Sequence, residues 1–205
     1  MTSVRIHQIA RSTTALGPGN RTAIWFQGCE RRCKGCMSPD TRPLNGGSLW
    51  HTSDLANTVC GIDNIEGITI SGGEPFLQID ALHELLTIIR KRKNLGVILY
   101  TGYTMEQLRQ MIDSKVDQII TSFSDIIIDG EYIDELNDGG SLKGSANQTV
   151  NFITDRYLPY KSLYEGKRRD IQILIDNDRS LLIGVPDKKT LEVWKMSTIS
   201  LQGKN

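Results

Sequence analysis

The sequence predicts an α/β protein built around a mostly parallel sheet, and two observations lead to this fold class. Short apolar runs typical of buried strands alternate with longer segments whose apolar residues recur with the period of a helix. Polar or glycine-rich segments separate these runs, as in successive strand–helix–strand units. In such a sheet, the loops at the carboxyl ends of the strands carry the chemistry.

The first elements are two strands followed by a long loop. Residues 4–9 alternate weakly and predict an edge strand, whereas residues 22–27, TAIWFQ, are β-branched and aromatic like a buried strand. Residues 28–47 are polar and rich in glycine and proline. We expect this segment to be functional, because long loops inside compact domains usually are.

The next segment predicts two helices with a strand between them. Ser53 is a suitable N-cap for a helix over residues 53–62, and residues 67–71, GITIS, predict a short buried strand. Residues 79–93 predict the second helix. Its apolar face consists of Leu82, Leu85, Leu86 and Ile89.

Residues 96–100, GVILY, predict another buried strand. Thr104 and Gln107 have the spacing of a capping box and open a further helix. The apolar runs at 118–121 and 125–129 resemble strands. We therefore expect the strand–helix alternation to continue as far as residue 129.

The pattern changes towards the C-terminus. Residues 141–148 form a polar loop, and residues 171–175 and 181–185 predict the two strands of a hairpin. Residues 191–196 predict a closing helix. This part of the chain is an extension that we expect to pack on the α/β core.

Composition and charge exclude several classes of protein. Hydrophobic residues make up 39% of the chain and charged residues 23%, which indicates a globular rather than a disordered protein. The 24 basic and 24 acidic residues balance, which argues against a nucleic-acid partner. No apolar stretch is long enough to span a bilayer and no signal peptide is evident, so we expect a cytoplasmic protein without a membrane partner.

Three of the four cysteines lie close together, with the spacing Cys29-x3-Cys33-x2-Cys36. Three kinds of site are compatible with this motif. A zinc site needs a fourth ligand, for which Cys60 or His51 is available. A redox pair would use Cys33 and Cys36 alone. A [4Fe–4S] cluster held by three cysteines would leave one iron open to a small molecule, and we favour this interpretation.

A cysteine motif of this spacing after a strand resembles the signature of the radical S-adenosylmethionine (radical SAM) enzymes. The sequence SGGEP at 71–75 follows a predicted strand and resembles the GGEP motif of that family. Two glycines allow a ligand to approach the backbone closely, and the adjacent carboxylate of Glu74 can bind an ammonium group.

Several longer strings resemble one branch of the superfamily, the activating proteins of anaerobic (class III) ribonucleotide reductases. They are GPGNRT at 17–22, WFQGC at 25–29, NGG at 45–47, YTGY at 100–103, DG at 129–130 and GSANQ at 144–148. The resemblance covers about residues 4–154. The chain departs from the branch at Met37-Ser38, Glu131-Tyr132, Lys143 and Thr149.

The resemblance implies a partial open (β/α)6-type barrel of about six parallel strands, with a radical SAM core at 1–154 and an extension at 155–205. It implies a [4Fe–4S] cluster and S-adenosyl-L-methionine as cofactors. The implied activity is the cleavage of S-adenosylmethionine to a 5′-deoxyadenosyl radical, which takes hydrogen from a glycine of a larger glycyl-radical enzyme. An electron donor such as a flavodoxin or ferredoxin is the second implied partner.

A different substrate, either a small molecule or a peptide, remains an alternative, as does a zinc or iron–sulfur binding module without catalysis. The implied metal ligands are Cys29, Cys33 and Cys36, and the implied cofactor-binding residues are Gly72, Gly73, Glu74, Thr101, Gly102 and Asp129. Four residues in or before the GSANQ string either line the site or grip a partner: Lys143, Ser145, Asn147 and Gln148.

The remaining cysteine and the basic residues around the motif have simpler interpretations. Cys60 alone cannot support a second all-cysteine cluster, and it is predicted to be a small buried side chain. Arg31, Arg32 and Lys34 flank the cluster ligands. They either tune the cluster or meet an electron donor, since nearby charge sets the potential of such clusters.

Overall fold

The computed structural model describes residues 2–176 and 179–202. Its strands are β1 (Ser3–Thr13), β2 (Arg21–Phe26), β3 (Ser48–His51), β4 (Gly67–Gly72), β5 (Gly96–Tyr100), β6 (Ile126–Asp129), β7 (Thr149–Phe152), β8 (Ile171–Asp176) and β9 (Arg179–Gly184). Its α-helices are α1 (Thr52–Cys60), α2 (Ile79–Arg92), α3 (Met105–Gln110), α4 (Ser114–Gln118), α5 (Ser162–Glu165) and α6 (Lys188–Gln202). None of the described helices combines the length and apolar character needed to cross a membrane.

Seven strands form one sheet in the order β3-β1-β2-β4-β5-β6-β7, and β8 and β9 form a separate hairpin. Strands β2, β4, β5 and β6 run parallel, with Ile24 opposite Ile70 and Leu99 opposite Ile127. Strands β1, β3 and β7 pair antiparallel at the flanks. The α/β class with a mostly parallel centre is therefore confirmed.

The expected number of about six parallel strands was wrong, because four described strands are parallel. Strand β1 reaches β2 through the short loop 14–20, which is too short for a crossover and makes the pair antiparallel. Residues 130–148 between β6 and β7 contain only one short 3₁₀ turn, Asp134–Leu136, and the strands again pair antiparallel.

Two further expectations were wrong. Residues 4–9 do not form an edge strand, because β3 pairs with β1 on its outer side. Residues 118–121 are helical: α4 ends at Gln118 and continues as a π-helical turn, Ile119–Phe123. Ile119 and Ile120 are buried there against the helical layer. A short apolar run fits either a strand or a helix, and here tertiary packing selects the helix.

The sheet has a helical layer on one face and the C-terminal extension on the other. Helices α1 and α2 cover the first face and bury residues such as Leu55, Leu82 and Leu85. Each of these side chains contributes about 2 kcal/mol by leaving water. On the second face, Ile98 and Ile128 pack against Tyr157 and Tyr164 of the extension. The hairpin packs farther along, with its Ile183 and Val185 against Ala10, Ala15, Leu16 and Ala23.

A fully buried arginine joins the amino ends of the parallel strands. The Arg21 guanidinium at the start of β2 donates to Thr69 Oγ1 (2.8 Å) and to the carbonyls of Ile68 (2.6 Å) and Gly96 (3.0 Å). It also donates to the Pro18 carbonyl (3.1 Å) and the Tyr157 hydroxyl (2.7 Å). All five of its N–H groups are thereby satisfied, so a buried cation is tolerated.

Replacing Arg21 by lysine tests this junction. A lysine has three donors and no planar fork, so it leaves buried acceptors without partners. We expect Arg21→Lys to lower the free energy of unfolding by about 2–4 kcal/mol in urea denaturation. Arg11→Lys, at an exposed position of β1, is the matched control and should change it by less than about 0.5 kcal/mol. Equal stability of the two variants would contradict the role of Arg21.

A carboxylate on α2 anchors the start of the chain. Glu84 Oε2 accepts a hydrogen bond from the Thr2 amide (2.8 Å) and another from Thr52 Oγ1 (2.8 Å). The bonds from Thr2 and Thr52 lower the pKa of Glu84 from its ordinary value of 4.5 to about 2. The ionised form therefore stabilises the folded state, and this contribution is complete only above the unfolded-state pKa.

The depressed pKa of Glu84 predicts a pH-dependent contribution to stability. A group with a lowered folded-state pKa stabilises the fold above its unfolded pKa, and the stabilisation is lost as pH falls towards the folded value. We expect the stability difference between the unsubstituted protein and Glu84→Gln to be constant near neutral pH and to shrink between pH about 4.5 and 2. Denaturation experiments at a series of pH values measure this stability difference. Glu106→Gln, at an exposed position of α3, controls for general charge effects, and a difference that persisted unchanged at pH 3 would contradict the assignment.

Candidate active site

The loops after four neighbouring parallel strands meet at one edge of the sheet and enclose a pocket. The pocket has a volume of about 980 Å³ including its opening to solvent. Its lining includes Cys29, Cys33, Cys36, Gly72, Gly73, Glu74, Thr101, Gly102, Gly130, Tyr132, Gln148 and Val185. The structure thus brings together all three cysteines of the motif and five of the six residues implied to bind a cofactor.

The cysteines belong to the cluster loop, residues 28–47, which leaves the end of β2. Its entry is fixed by backbone hydrogen bonds from Gly28 to Thr41 (2.7 Å) and from Cys29 to Arg42 (3.0 Å). The Cys36 amide donates to the Cys33 carbonyl (3.3 Å), which closes a tight turn between these two cysteines. The loop therefore presents all three thiols to one wall of the pocket.

The thiols are half-buried and unpaired by disulfides. Burial raises the pKa of the Cys29 thiol. Burial and a hydrogen bond from Cys33 Sγ to Glu131 (3.3 Å) raise the pKa of the Cys33 thiol to about 11. Iron must therefore displace thiol protons when it binds, as metals do when cysteine is the ligand.

The donor set fits an iron–sulfur cluster. In the described part of the chain, no three His, Cys, Asp or Glu side chains are grouped closely enough to hold a single metal ion. A [4Fe–4S] cluster is bound through several irons, so its cysteines need to line one cavity rather than converge on one point. Cys29, Cys33 and Cys36 meet that requirement.

The two glycines before Glu74 allow the cluster loop to lie directly against the end of β4. Gly72 has a φ of +114°, and a Cβ atom there would lie 2.3 Å from the Phe26 carbonyl oxygen. A Cβ atom at Gly73 would lie 2.1 Å from the Gly28 carbonyl oxygen. Neither position accepts a side chain without displacing backbone. The glycines therefore allow this close packing of the backbone, in addition to leaving room for a ligand.

Glu74 is 2% exposed, and its carboxylate joins the ends of β4 and β5. Its Oε1 accepts from the Phe76 amide (3.1 Å) and from Thr101 Oγ1 (2.9 Å), and its Oε2 accepts from the Gly102 amide (2.8 Å). Burial raises the pKa of Glu74, and these hydrogen bonds oppose the increase. Thr101 and Gly102 thus position the carboxylate at the pocket wall.

Arg31 extends from the cluster loop across the pocket. Its Nε atom lies 3.9 Å from Glu74 Oε2, and its Nη1 atom lies 3.5 Å from Glu131 Oε2. Its guanidinium carbon lies 4.4 Å from the centroid of the Tyr103 ring, a cation–π contact. One side chain of the cluster loop therefore contacts residues that follow β4, β5 and β6.

Asp129 is the implied site residue that does not line the pocket. Its Oδ2 accepts from the Met105 amide (2.6 Å), and its Oδ1 accepts from Asn151 Nδ2 (2.9 Å). These bonds hold the start of α3 and strand β7 at the end of β6. Asp129 thereby positions these elements, and its contact with a cofactor stays a prediction.

The GSANQ string at 144–148 shapes the loop that follows β6. Gln148 Nε2 donates to the Gly130 carbonyl (2.8 Å), and Asn147 Nδ2 donates to the Glu131 carbonyl (2.8 Å). Ser145 Oγ accepts from the Ile133 amide (3.1 Å). Of the four residues expected either to line the site or to grip a partner, Gln148 belongs to the pocket wall, and Lys143, Ser145 and Asn147 do not.

The extension contributes to the pocket wall, which the sequence does not predict. Gly184 and Val185, at the end of β9, line it together with Leu16 and Trp25. Nothing in the local sequence indicates this role, which arises from the packing of the hairpin on the sheet. Cys60 is half-buried at the end of α1, packs on the main core, and does not line the pocket.

The fold and the cysteine motif define the class of this protein. Residues 15–151 match the family described as the 4Fe-4S single cluster domain, and since the match spans about two thirds of the chain, the protein belongs to that family. The iron–sulfur interpretation of the three cysteines is thereby confirmed over the zinc and redox alternatives.

Similar proteins narrow the class. The chain is 29% identical over 157 residues to the anaerobic ribonucleoside-triphosphate reductase-activating protein of Vibrio cholerae, covering 72% of this chain and 97% of that protein. It is 28% identical over 144 residues to the protein of the same name from Enterobacteria phage T4, covering 68% and 88%. It is 35% identical over 91 residues to the pyruvate formate-lyase-activating enzyme of Listeria monocytogenes, covering 42% and 37%. These similarities confirm the resemblance to radical SAM activating enzymes, and with it the predicted cofactors, a [4Fe–4S] cluster and S-adenosylmethionine.

The close approach of Gly73 to the cluster loop gives a prediction about assembly. In Gly73→Ala the new methyl group would displace the Gly28 carbonyl and shift the start of the loop. We expect this variant to retain less than half of the iron taken up by the unsubstituted protein on anaerobic reconstitution, measured as iron and sulfide per chain.

Gly166→Ala is the matched control for that experiment. Gly166 is exposed, and a Cβ atom there would meet its nearest neighbour at 3.7 Å, an ordinary contact. The control should take up iron normally. Full iron uptake by Gly73→Ala would show that the loop tolerates the displacement.

Proposed function

We propose that this protein is a radical SAM activating enzyme that installs a glycyl radical on an anaerobic ribonucleotide reductase. The observation that carries the proposal is the pocket, in which three cysteines of one loop face a buried carboxylate and its glycines across the carboxyl ends of parallel strands. When bound, the reduced cluster supplies the electron that cleaves S-adenosylmethionine into methionine and the 5′-deoxyadenosyl radical that takes hydrogen from the substrate.

The residues of this chain would bind and orient the cofactors. Cys29, Cys33 and Cys36 would hold the cluster through their thiolates. Glu74, fixed by Thr101 and Gly102, would accept the ammonium group of S-adenosylmethionine, because a buried carboxylate is stabilised by an adjacent cation. Gly72 and Gly73 would leave the backbone accessible beside it.

The partner assignment rests on the named relatives and on the architecture of the pocket. Several of the similar proteins are named as activating proteins of anaerobic ribonucleoside-triphosphate reductase, and another is named for pyruvate formate-lyase. The pocket is open to solvent, which suits a glycine presented on a loop of a large protein. We propose the reductase as that protein.

Three further proposals concern the electron donor, the shape of the sheet and the cellular location. We propose that a flavodoxin or ferredoxin delivers the electron beside the cluster loop, where Arg32 and Lys34 are exposed. We propose that the sheet curves as a partial, open barrel around its four parallel strands, with a core at 1–154 and an extension at 155–205. A cytoplasmic location would keep the cysteines reduced.

Isotope transfer tests the proposed function. The protein is reconstituted anaerobically, reduced, and incubated with S-adenosylmethionine and an anaerobic ribonucleotide reductase labelled with deuterated glycine. We expect about four irons per chain, formation of 5′-deoxyadenosine, and deuterium in that product. Cys33→Ala should lower the cleavage by at least about a hundredfold, because a lost ligand costs at least as much as a lost outer-shell partner.

Cys60→Ala is the matched control, because Cys60 lies outside the pocket, and it should cleave S-adenosylmethionine normally. Cleavage without deuterium transfer would overturn the partner and leave the superfamily assignment intact. Iron uptake without any cleavage of S-adenosylmethionine would overturn the enzymatic function itself.

A further inference from the structure

Arg31 occupies the position from which a cation would contact Glu74. It reaches this position from near the start of the cluster loop, between the proposed cluster ligands Cys29 and Cys33, with 22% of its side chain exposed. Gly102 makes room for it, since a Cβ atom there would lie 2.5 Å from Arg31 Cδ and 2.6 Å from its Nε. The guanidinium also packs against the face of the Tyr103 ring.

The contact between Arg31 and Glu74 is an ion pair without a hydrogen bond. The Nε–Oε2 distance is 3.9 Å, and the buried Nε–H group has no hydrogen-bond partner. The carboxylate, in contrast, is already held by the Phe76 and Gly102 amides and the Thr101 hydroxyl. A buried donor left unbonded is costly, so Arg31 is held here less firmly than a fully bonded cation would be.

Arg31 also has a second carboxylate partner nearer to solvent. Glu131, whose side chain is 47% exposed, lies 3.5 Å from Nη1. If the guanidinium leaves Glu74, it keeps its ion pair with Glu131 and gains access to water, which offsets the loss of the contact with Glu74. An ammonium group is smaller than a guanidinium and can approach the free side of Oε2 within hydrogen-bond distance.

We propose that Arg31 is a positioning residue that neutralises Glu74 and yields this place to the ammonium group of S-adenosylmethionine. This inference rests on the proposed function of the pocket. Displacement of Arg31 lowers the affinity for the cofactor, because binding includes the cost of moving a resident cation. It also links cofactor binding to the cluster loop, since Arg31 is part of the segment that carries the cysteines.

Cofactor affinity measured on the iron-loaded protein tests the proposal. Equilibrium dialysis with labelled S-adenosylmethionine would compare the unsubstituted protein with Arg31→Gln at equal iron content. We expect Arg31→Gln to bind about fivefold more tightly, the equivalent of one partly buried ion pair. Arg32→Gln is the matched control, with an exposed arginine in the same loop, and should bind within about twofold of the unsubstituted protein.

A second probe separates charge competition from a simple opening of the pocket. 5′-Methylthioadenosine has the adenosine part of the cofactor and no ammonium group, so its affinity should not change in Arg31→Gln. Arg31→Lys keeps the positive charge and should return the affinity for S-adenosylmethionine towards that of the unsubstituted protein. Arg31→Met keeps an unbranched chain against Tyr103 and replaces Arg31→Gln if the latter does not take up iron.

Unchanged or weaker binding of S-adenosylmethionine by the neutral variants, at full iron content, would overturn the role of Arg31. An equal gain in affinity for both probes would also overturn it, because the effect would then be steric. Failure of the unsubstituted, iron-loaded protein to bind S-adenosylmethionine would overturn the proposed function, and this inference with it.

Discussion

The buried carboxylate of Glu74 is the constraint on which the rest of the site depends. The backbone amide of Glu74 donates to the Gly28 carbonyl (2.8 Å), which anchors the start of the cluster loop to the end of β4. Its side chain is bonded to Thr101 and Gly102 at the end of β5. A charged group removed from water is stable only when it is fully bonded, so these segments are held in one arrangement.

At the amino ends of the parallel strands, a buried charge of the opposite sign, Arg21, is also held by hydrogen bonds. Arg21 satisfies all of its guanidinium donors with neutral oxygens, including the Ile68 and Gly96 carbonyls and the Tyr157 hydroxyl. The parallel strands β2, β4 and β5 thus have a buried cation at their amino ends and a buried anion at their carboxyl ends. Because Tyr157 belongs to the segment after β7, the cation also attaches the extension to the core.

The sequence predicted the centre of the fold well and its periphery poorly, for identifiable reasons. Strands β4 and β5 are continuous apolar runs bounded by glycines, which is a strong local signal. Strand β3, Ser-Leu-Trp-His, has mostly exposed residues and forms only by pairing with β1, so no local pattern marks it. The run at 118–121 is too short for its period to distinguish a strand from a helix.

The residues of the site likewise divide into those that the sequence predicted and those that it did not. The three cysteines and the Gly72–Gly73–Glu74 segment are each a short local motif, and their resemblance to the radical SAM motifs predicted both. The ion pairs of Arg31, a residue predicted only to tune the cluster or meet a donor, depend on side-chain conformation across three loops. The positioning role of Asp129 likewise depends on α3 and β7, which the residue itself does not specify.

The hairpin at the pocket wall has a consequence for the order in which the site is built. The cysteines and Glu74 have all been synthesised by residue 74, yet Gly184 and Val185 complete the same cavity. The pocket around the thiols of a nascent chain therefore stays incomplete while more than half of the chain is translated. Iron delivered before Val185 has emerged from the ribosome would enter a site that lacks this part of its wall, so cluster insertion is best timed after translation.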